Sequence, residues 1–251
     1  MELLIILYLA VVGLVFGSFF NVVGLRVPLK QSIVRPRSSC PNCKHMLTSK
    51  ELIPVVSYII QGGKCRSCKA PISPIYPIME FVTGFLFAIT PLIIGWSNEL
   101  LIAYSLISLL VIITVSDLAY MIIPDKVLLF FAALFLILHI YPGGLHIIDS
   151  LLGALVGFGI LLLIALISNG GMGGGDIKLF AVLGLILGVK LIILTLFFSA
   201  LYGALLGSLF IVIGVAKKKQ PIPFGPYIAL ATLTAYFFGE RIVNWYFGVL
   251  L

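Results

Sequence analysis

Apolar residues fill this chain in long runs, broken by short polar joints and by one long polar stretch at 25–74. A membrane-crossing helix needs about 20 apolar residues, fewer where it is short or partly re-entrant. On that measure the pattern predicts eight spans: 2–24, 77–95, 99–118, 124–141, 147–167, 176–188, 190–214 and 224–250. The runs show no strict alternation of apolar and polar positions, so they read as helices rather than barrel strands. The expected fold class is therefore all-α, a polytopic membrane bundle of about eight spans with one large polar loop. Pro91 marks a kink near the end of the second span, and Gly239-Glu240-Arg241 marks a break in the last. Residues 1–24 lack a basic start and an Ala-x-Ala site, which predicts a retained span rather than a cleaved signal.

Composition agrees. With 61% apolar and 10% charged residues, most of the surface needs lipid as its solvent. The charge is concentrated. Residues 25–74 carry nine Lys and Arg against the single acid Glu51, a net of +8 in a chain whose total is +7. Placing this loop in the cytoplasm puts 14 of the 16 basic residues on or near that side, Lys217-Lys218-Lys219 included and Lys190 and Arg241 excepted. The loop thus reads as an orientation signal with anionic lipid head groups as its partner, and not as a nucleic-acid site. The domain reading that follows is a first span at 1–24, a cytoplasmic basic loop at 25–74 and a helical membrane core at 75–251. Gly153-x3-Gly157, Gly184-x3-Gly188 and Gly203-x3-Gly207 predict close helix packing in lipid. No internal repeat is expected.

Ionisable groups inside spans are costly, and so are functional candidates. Asp117 closes the run of the third span, where a helix C-terminus repels an anion and no capping role explains it. Asp125 follows Pro124 and reads as a helix start. Asp176 follows Gly170-Gly171-Met172-Gly173-Gly174-Gly175, a segment too rich in glycine for a stable helix and open to close backbone approach; the alternatives are a helix-capping role and a phosphate-cradling loop, the latter weak without Gly-Lys-Ser/Thr or a preceding strand. The span order puts Asp117 and Asp176 at one membrane boundary on different helices. Two close carboxylates do not both ionise, and one charged with one neutral is what general acid–base hydrolysis requires. His45, His139 and His146 form no His-Glu-x-x-His zinc site, so metallopeptidase chemistry is not supplied.

Cys40-Pro41-Asn42-Cys43 and Cys65-Arg66-Ser67-Cys68 are two CxxC pairs with 21 residues between them. That spacing fits a structural four-cysteine zinc site. Two disulfides are the main alternative, disfavoured in a cytoplasmic loop, and His45 is a possible spare ligand.

Together these residues resemble the type IV prepilin peptidases, along most of the chain. The resemblance rests on Gly17-Ser18-Phe19-Phe20-Asn21 with Arg26 and Pro28, the paired cysteines, Tyr76-Pro77-x2-Glu80, Asp117 with Ile123-Pro124-Asp125, Gly173–Lys178, and Pro223-Phe224-Gly225-Pro226. It implies an aspartic endopeptidase of the bacterial cytoplasmic membrane, with Asp117 and Asp176 catalytic. Its substrates would be prepilins or pseudopilins, cut after a glycine at the cytoplasmic face. It also implies N-methylation of the new terminus with S-adenosylmethionine. Ile75 stands where the family often has Arg, and Thr48-Ser49-Lys50 where aromatic residues are usual; both fall in the part tied to methylation. Glu80 is expected to orient substrate or donor, or to sit at a helix start; Asn21 is expected to make an interhelical hydrogen bond. The rival readings are an ion-coupled transporter that uses the intramembrane aspartates and a zinc-ribbon assembly protein without catalysis.

Overall fold

The computed structural model describes residues 2–138, 147–168, 171–214 and 222–250. Eight α-helices make up the described chain: α1 Glu2–Arg26, α2 Val56–Ile60, α3 Ile75–Ile94, α4 Glu99–Tyr120, α5 Asp125–Leu138, α6 Ile147–Ile167, α7 Gly174–Val212 and α8 Gly225–Leu250. A single 3-10 turn, Ser49–Leu52, precedes α2. Five of these helices (α1, α3, α4, α6 and α7) are long and apolar enough to cross a bilayer. The chain is a multi-pass membrane protein. The α1 and α6 windows are only 17% and 22% buried by protein, so lipid covers what remains. His139, His146 and the Lys217–Lys219 cluster lie outside the described residues.

The chain forms two compact units, Met1–Ala119 and Tyr120–Leu251. In the first, α1 and α3 run antiparallel at backbone contact. A Cβ on Gly13 would lie 2.8 Å from Gly84 Cα, and one on Gly17 2.8 Å from Glu80 Cα. Without a hydrophobic force between helices in lipid, such small-residue seams supply the packing. Asn21, buried on α1, donates from Nδ2 to the Tyr76 carbonyl of α3 at 3.1 Å, the interhelical bond expected of it. Tyr104 ties α4 to α3 through a 3.2 Å bond to the Phe87 carbonyl.

In the second unit α7 is 39 residues long, about 58 Å if straight and nearly twice the hydrocarbon thickness. It is not straight. Gly188 has φ 66° and ψ −178°, outside helical geometry. A Cβ on Gly157 of α6 would touch both the Phe180 carbonyl, at 2.7 Å, and Ile192 Cγ1, at 3.0 Å. Twelve residues of straight helix would hold those two groups about 18 Å apart. The helix therefore folds back at Gly188 into two antiparallel arms, 174–187 and 189–212. These match the sixth and seventh spans read from the sequence. Asp149 of α6 accepts the Val189 N–H at 3.4 Å and so caps the second arm, while its carboxylate fills the place of any Gly188 side chain. Gly184 and Gly153 meet so closely that a Cβ on either would fall on the other's carbonyl.

α8 packs along the second arm, with Lys190 Nζ 2.6 Å from Glu240 Oε2 and Tyr202 bonded to Thr234. It continues unbroken through Gly239-Glu240-Arg241, contrary to the expected break. The ion pair gives Glu240 a partner on the neighbouring arm of α7, and the acid does not interrupt α8.

Candidate active site and metal centre

α4 holds Asp117 in its last turn, buried at 6% exposure and next to the fully buried Ser116. Carbonyls crowd that end of a helix, so an acid gains nothing there from the helix dipole. The helix stops just beyond, where Met121 takes φ 54°. Residues 122–124 then lead to α5, which starts at Asp125 as expected after Pro124.

The glycine-rich segment behaves differently from its expectation. α7 begins at Gly174, so Gly174 and Gly175 are helical and Gly173 is the cap. Asp176 is thus the third helical residue, half-buried, and not the cap. Gly175 has no side chain because Ile123 Cβ stands 2.8 Å from where its Cβ would be. Two residues beyond Asp176, Lys178 Nζ pairs with both Asp125 oxygens at 2.8 and 2.9 Å. Asp125 therefore joins the start of α5 to the start of α7, next to Asp176, a role the sequence reading did not assign. Asp117 belongs to the first unit and Asp176 to the second.

The loop brings its four cysteines together. Their sulfurs all lie within 4.8 Å of one another, with Cys40–Cys68 at 3.8 Å and Cys43–Cys65 at 3.9 Å. A tetrahedral ion with metal–sulfur bonds of about 2.3 Å needs sulfur–sulfur edges of about 3.8 Å. The four can hold such an ion, and no disulfide joins them.

The backbone explains the convergence. Cys40 N–H bonds to the His45 carbonyl at 2.9 Å, Lys44 N–H to the Cys40 carbonyl at 2.9 Å, and Leu47 N–H to the Ser38 carbonyl at 2.9 Å. Twenty-five residues later Cys65 bonds to Ala70, Lys69 to Cys65 and Ile72 to Gly63, at 2.8, 3.0 and 2.8 Å. Lys44 and Lys69 share φ 59°. The loop is a tandem pair of one knuckle, so a short internal repeat exists where none was expected. Its only sequence trace is Cys-x2-Cys-Lys.

Amide donors face the sulfurs. The N–H groups of Cys43 and Asn42 draw Cys40 below the ordinary thiol range, and that of Ala70 does the same for Cys68. The His45 N–H acts likewise on Cys43, but desolvation and the crowd of thiols outweigh it and push that group up to about 11. Four sulfurs side by side cannot all ionise without a cation among them.

His45 is not a spare ligand. Its Nε2 lies 3.2 Å from Glu51 Oε2, which also accepts the Thr48 N–H at 2.9 Å and the Thr48 hydroxyl at 2.8 Å. The Thr48 bonds, with the His45 contact adding to them, hold this buried carboxyl down at about 2. Thr48-x2-Glu51 is a capping-box pattern, legible in the sequence beforehand. Glu80 is not at the start of its helix. It stands one turn inside α3, and its Oε2 accepts the Val55 N–H at 2.7 Å.

The sequence pattern of the Bacterial Peptidase A24 N-terminal domain matches residues 11–94, and that of the Type IV leader peptidase family matches 104–208. A prepilin leader peptidase/N-methyltransferase of Bacillus subtilis (strain 168) is 45% identical over 97% of this chain and 98% of its own length. The chain belongs to the type IV leader peptidase family. Family members of the same name from Aeromonas salmonicida and Pseudomonas aeruginosa are 33% and 34% identical, over 95% and 93% of this chain and 92% and 90% of theirs. No solved structure matches the chain.

Proposed function

We propose that this protein is a membrane aspartic endopeptidase that removes the leader peptide of type IV prepilins or pseudopilins, with Asp117 and Asp176 as its catalytic pair. The observation that carries the reading is end-to-end similarity to prepilin leader peptidase/N-methyltransferases, within which Asp117 is a buried carboxyl at the C-terminal end of a membrane helix. In the proposed mechanism one aspartate stays neutral and donates its proton to the scissile carbonyl oxygen. The other, ionised, takes a proton from water, whose oxygen attacks the carbonyl carbon. The tetrahedral species collapses as the aspartate that took the water proton passes it to the nitrogen and the first aspartate recovers its proton from the re-forming carbonyl, the C–N bond breaking to release leader and mature subunit.

The relatives' names support a second step on the new N-terminus, its methylation, for which S-adenosylmethionine would supply the methyl group. For the metal we propose zinc, held by Cys40, Cys43, Cys65 and Cys68. With all four positions filled by sulfur it supplies structure and no open coordination site. The basic loop would face the cytoplasm of a bacterial inner membrane, with cleavage on that side.

The test is cleavage of a purified prepilin in detergent. Asp117→Asn and Asp176→Asn should each lose at least about 10³-fold in rate while remaining folded, the scale of a lost general acid or base. Retained cleavage in either variant would remove that residue from the mechanism.

A further inference from the structure

The segment between the two cysteine knuckles carries an apolar face left exposed among the described residues. Leu52, Ile53, Val56, Ile59 and Ile60 recur at helical spacing across the 3-10 turn and α2, and all five are exposed; Ile59 and Ile60 reach 69% and 79%. The other side of the same segment is turned inward. Glu51 is buried, Val55 gives its N–H to Glu80, and the Tyr58 hydroxyl lies against Gly63. A soluble loop would orient such a segment the other way round.

Its position is fixed. Val55 has φ 59° and ψ −50°, a positive-φ conformation that a β-branched residue rarely takes, and the 2.7 Å bond to Glu80 holds it there. Glu80 is the sixth residue of α3, so this anchor lies about 8 Å along the helix from its first residue. α3 has 20 residues, about the length that spans the hydrocarbon core. The segment is therefore tied at the depth, about 5–10 Å, where interfacial helices bury their apolar faces. Exposed Lys50, Lys64 and Arg66 flank it in sequence, within a loop of net charge +8.

We propose that residues 52–60 are an interfacial anchor. Their five aliphatic side chains enter the boundary between head groups and acyl chains of an anionic leaflet, while the flanking cations meet the phosphates. The anchor seats the metal-binding loop on the membrane whichever reaction the chain performs.

The experiment uses the full chain with Trp96 and Trp245 changed to Phe, and one new probe, Ile59→Trp or Ile60→Trp. Metal content per chain verifies that each variant keeps its knuckles. In phosphatidylcholine–phosphatidylglycerol vesicles with brominated acyl chains, either probe should lose at least about half its emission and be shielded from aqueous iodide. Omitting phosphatidylglycerol should weaken the bromolipid quenching; equal quenching in both vesicle types would overturn the anionic preference. Quenching by iodide but not by bromolipid, in both probes, would overturn the anchor. So would probes that iodide reaches until a prepilin peptide is added, because the face would then be a substrate-docking surface.

Discussion

At the level of single residues, the acids fall into distinct kinds. Asp125 is exposed and its partner Lys178 is exposed too, so their ion pair contributes about 0–1 kcal/mol. Asp125→Asn should lower cleavage less than about tenfold, well short of the loss expected for Asp176→Asn two residues from the same clip. A steady-state comparison of the two variants checks this; equal total loss would move Asp125 into the catalytic pair. Glycines are the other residue-scale devices. Gly184→Ala drives a methyl group into the Gly153 backbone, where nothing flexible can yield. Its cost should be several kcal/mol, seen as a large fall in the midpoint of thermal unfolding in detergent. Gly159→Ala on the same α6, where a Cβ meets open space, should be nearly neutral.

Among elements, the helices were readable because apolar runs are their own signal, and the cysteine loop because thiol spacing follows from tetrahedral coordination. The reversal at Gly188 was legible only as a gap between two apolar runs. Its reason is local and lies elsewhere in the chain, in Asp149 capping Val189. The close seam of Gly13 and Gly17 on α1 has the same small-x3-small spacing as the three seams predicted, and could have been read the same way. What the sequence did not disclose are the long-range polar clips, Glu80 to Val55 and Lys178 to Asp125. Each joins side chain to partner across 25 or 53 residues with no periodic trace. The paired knuckles make a prediction of their own. Each supplies two sulfurs, so Cys43→Ser and Cys68→Ser should each abolish stable binding of about one zinc per chain, measured by elemental analysis of purified protein. Full metal content in either variant would contradict the four-sulfur site.

For the whole molecule, the folded-back α7 sets the level of Asp176, a residue of the proposed catalytic pair. Gly157 of α6 faces Phe180, and the arms run antiparallel, so Asp176 stands level with about residue 161. α6 continues to Ile167, about 9 Å further. Asp176 thus stands short of the level at which α6 ends. Under the proposed mechanism, a peptide bond would have to come down to this recessed carboxylate, and the hydrolytic water with it. The consequence of that one-residue reversal would be a reaction closed to any peptide not already embedded in the bilayer.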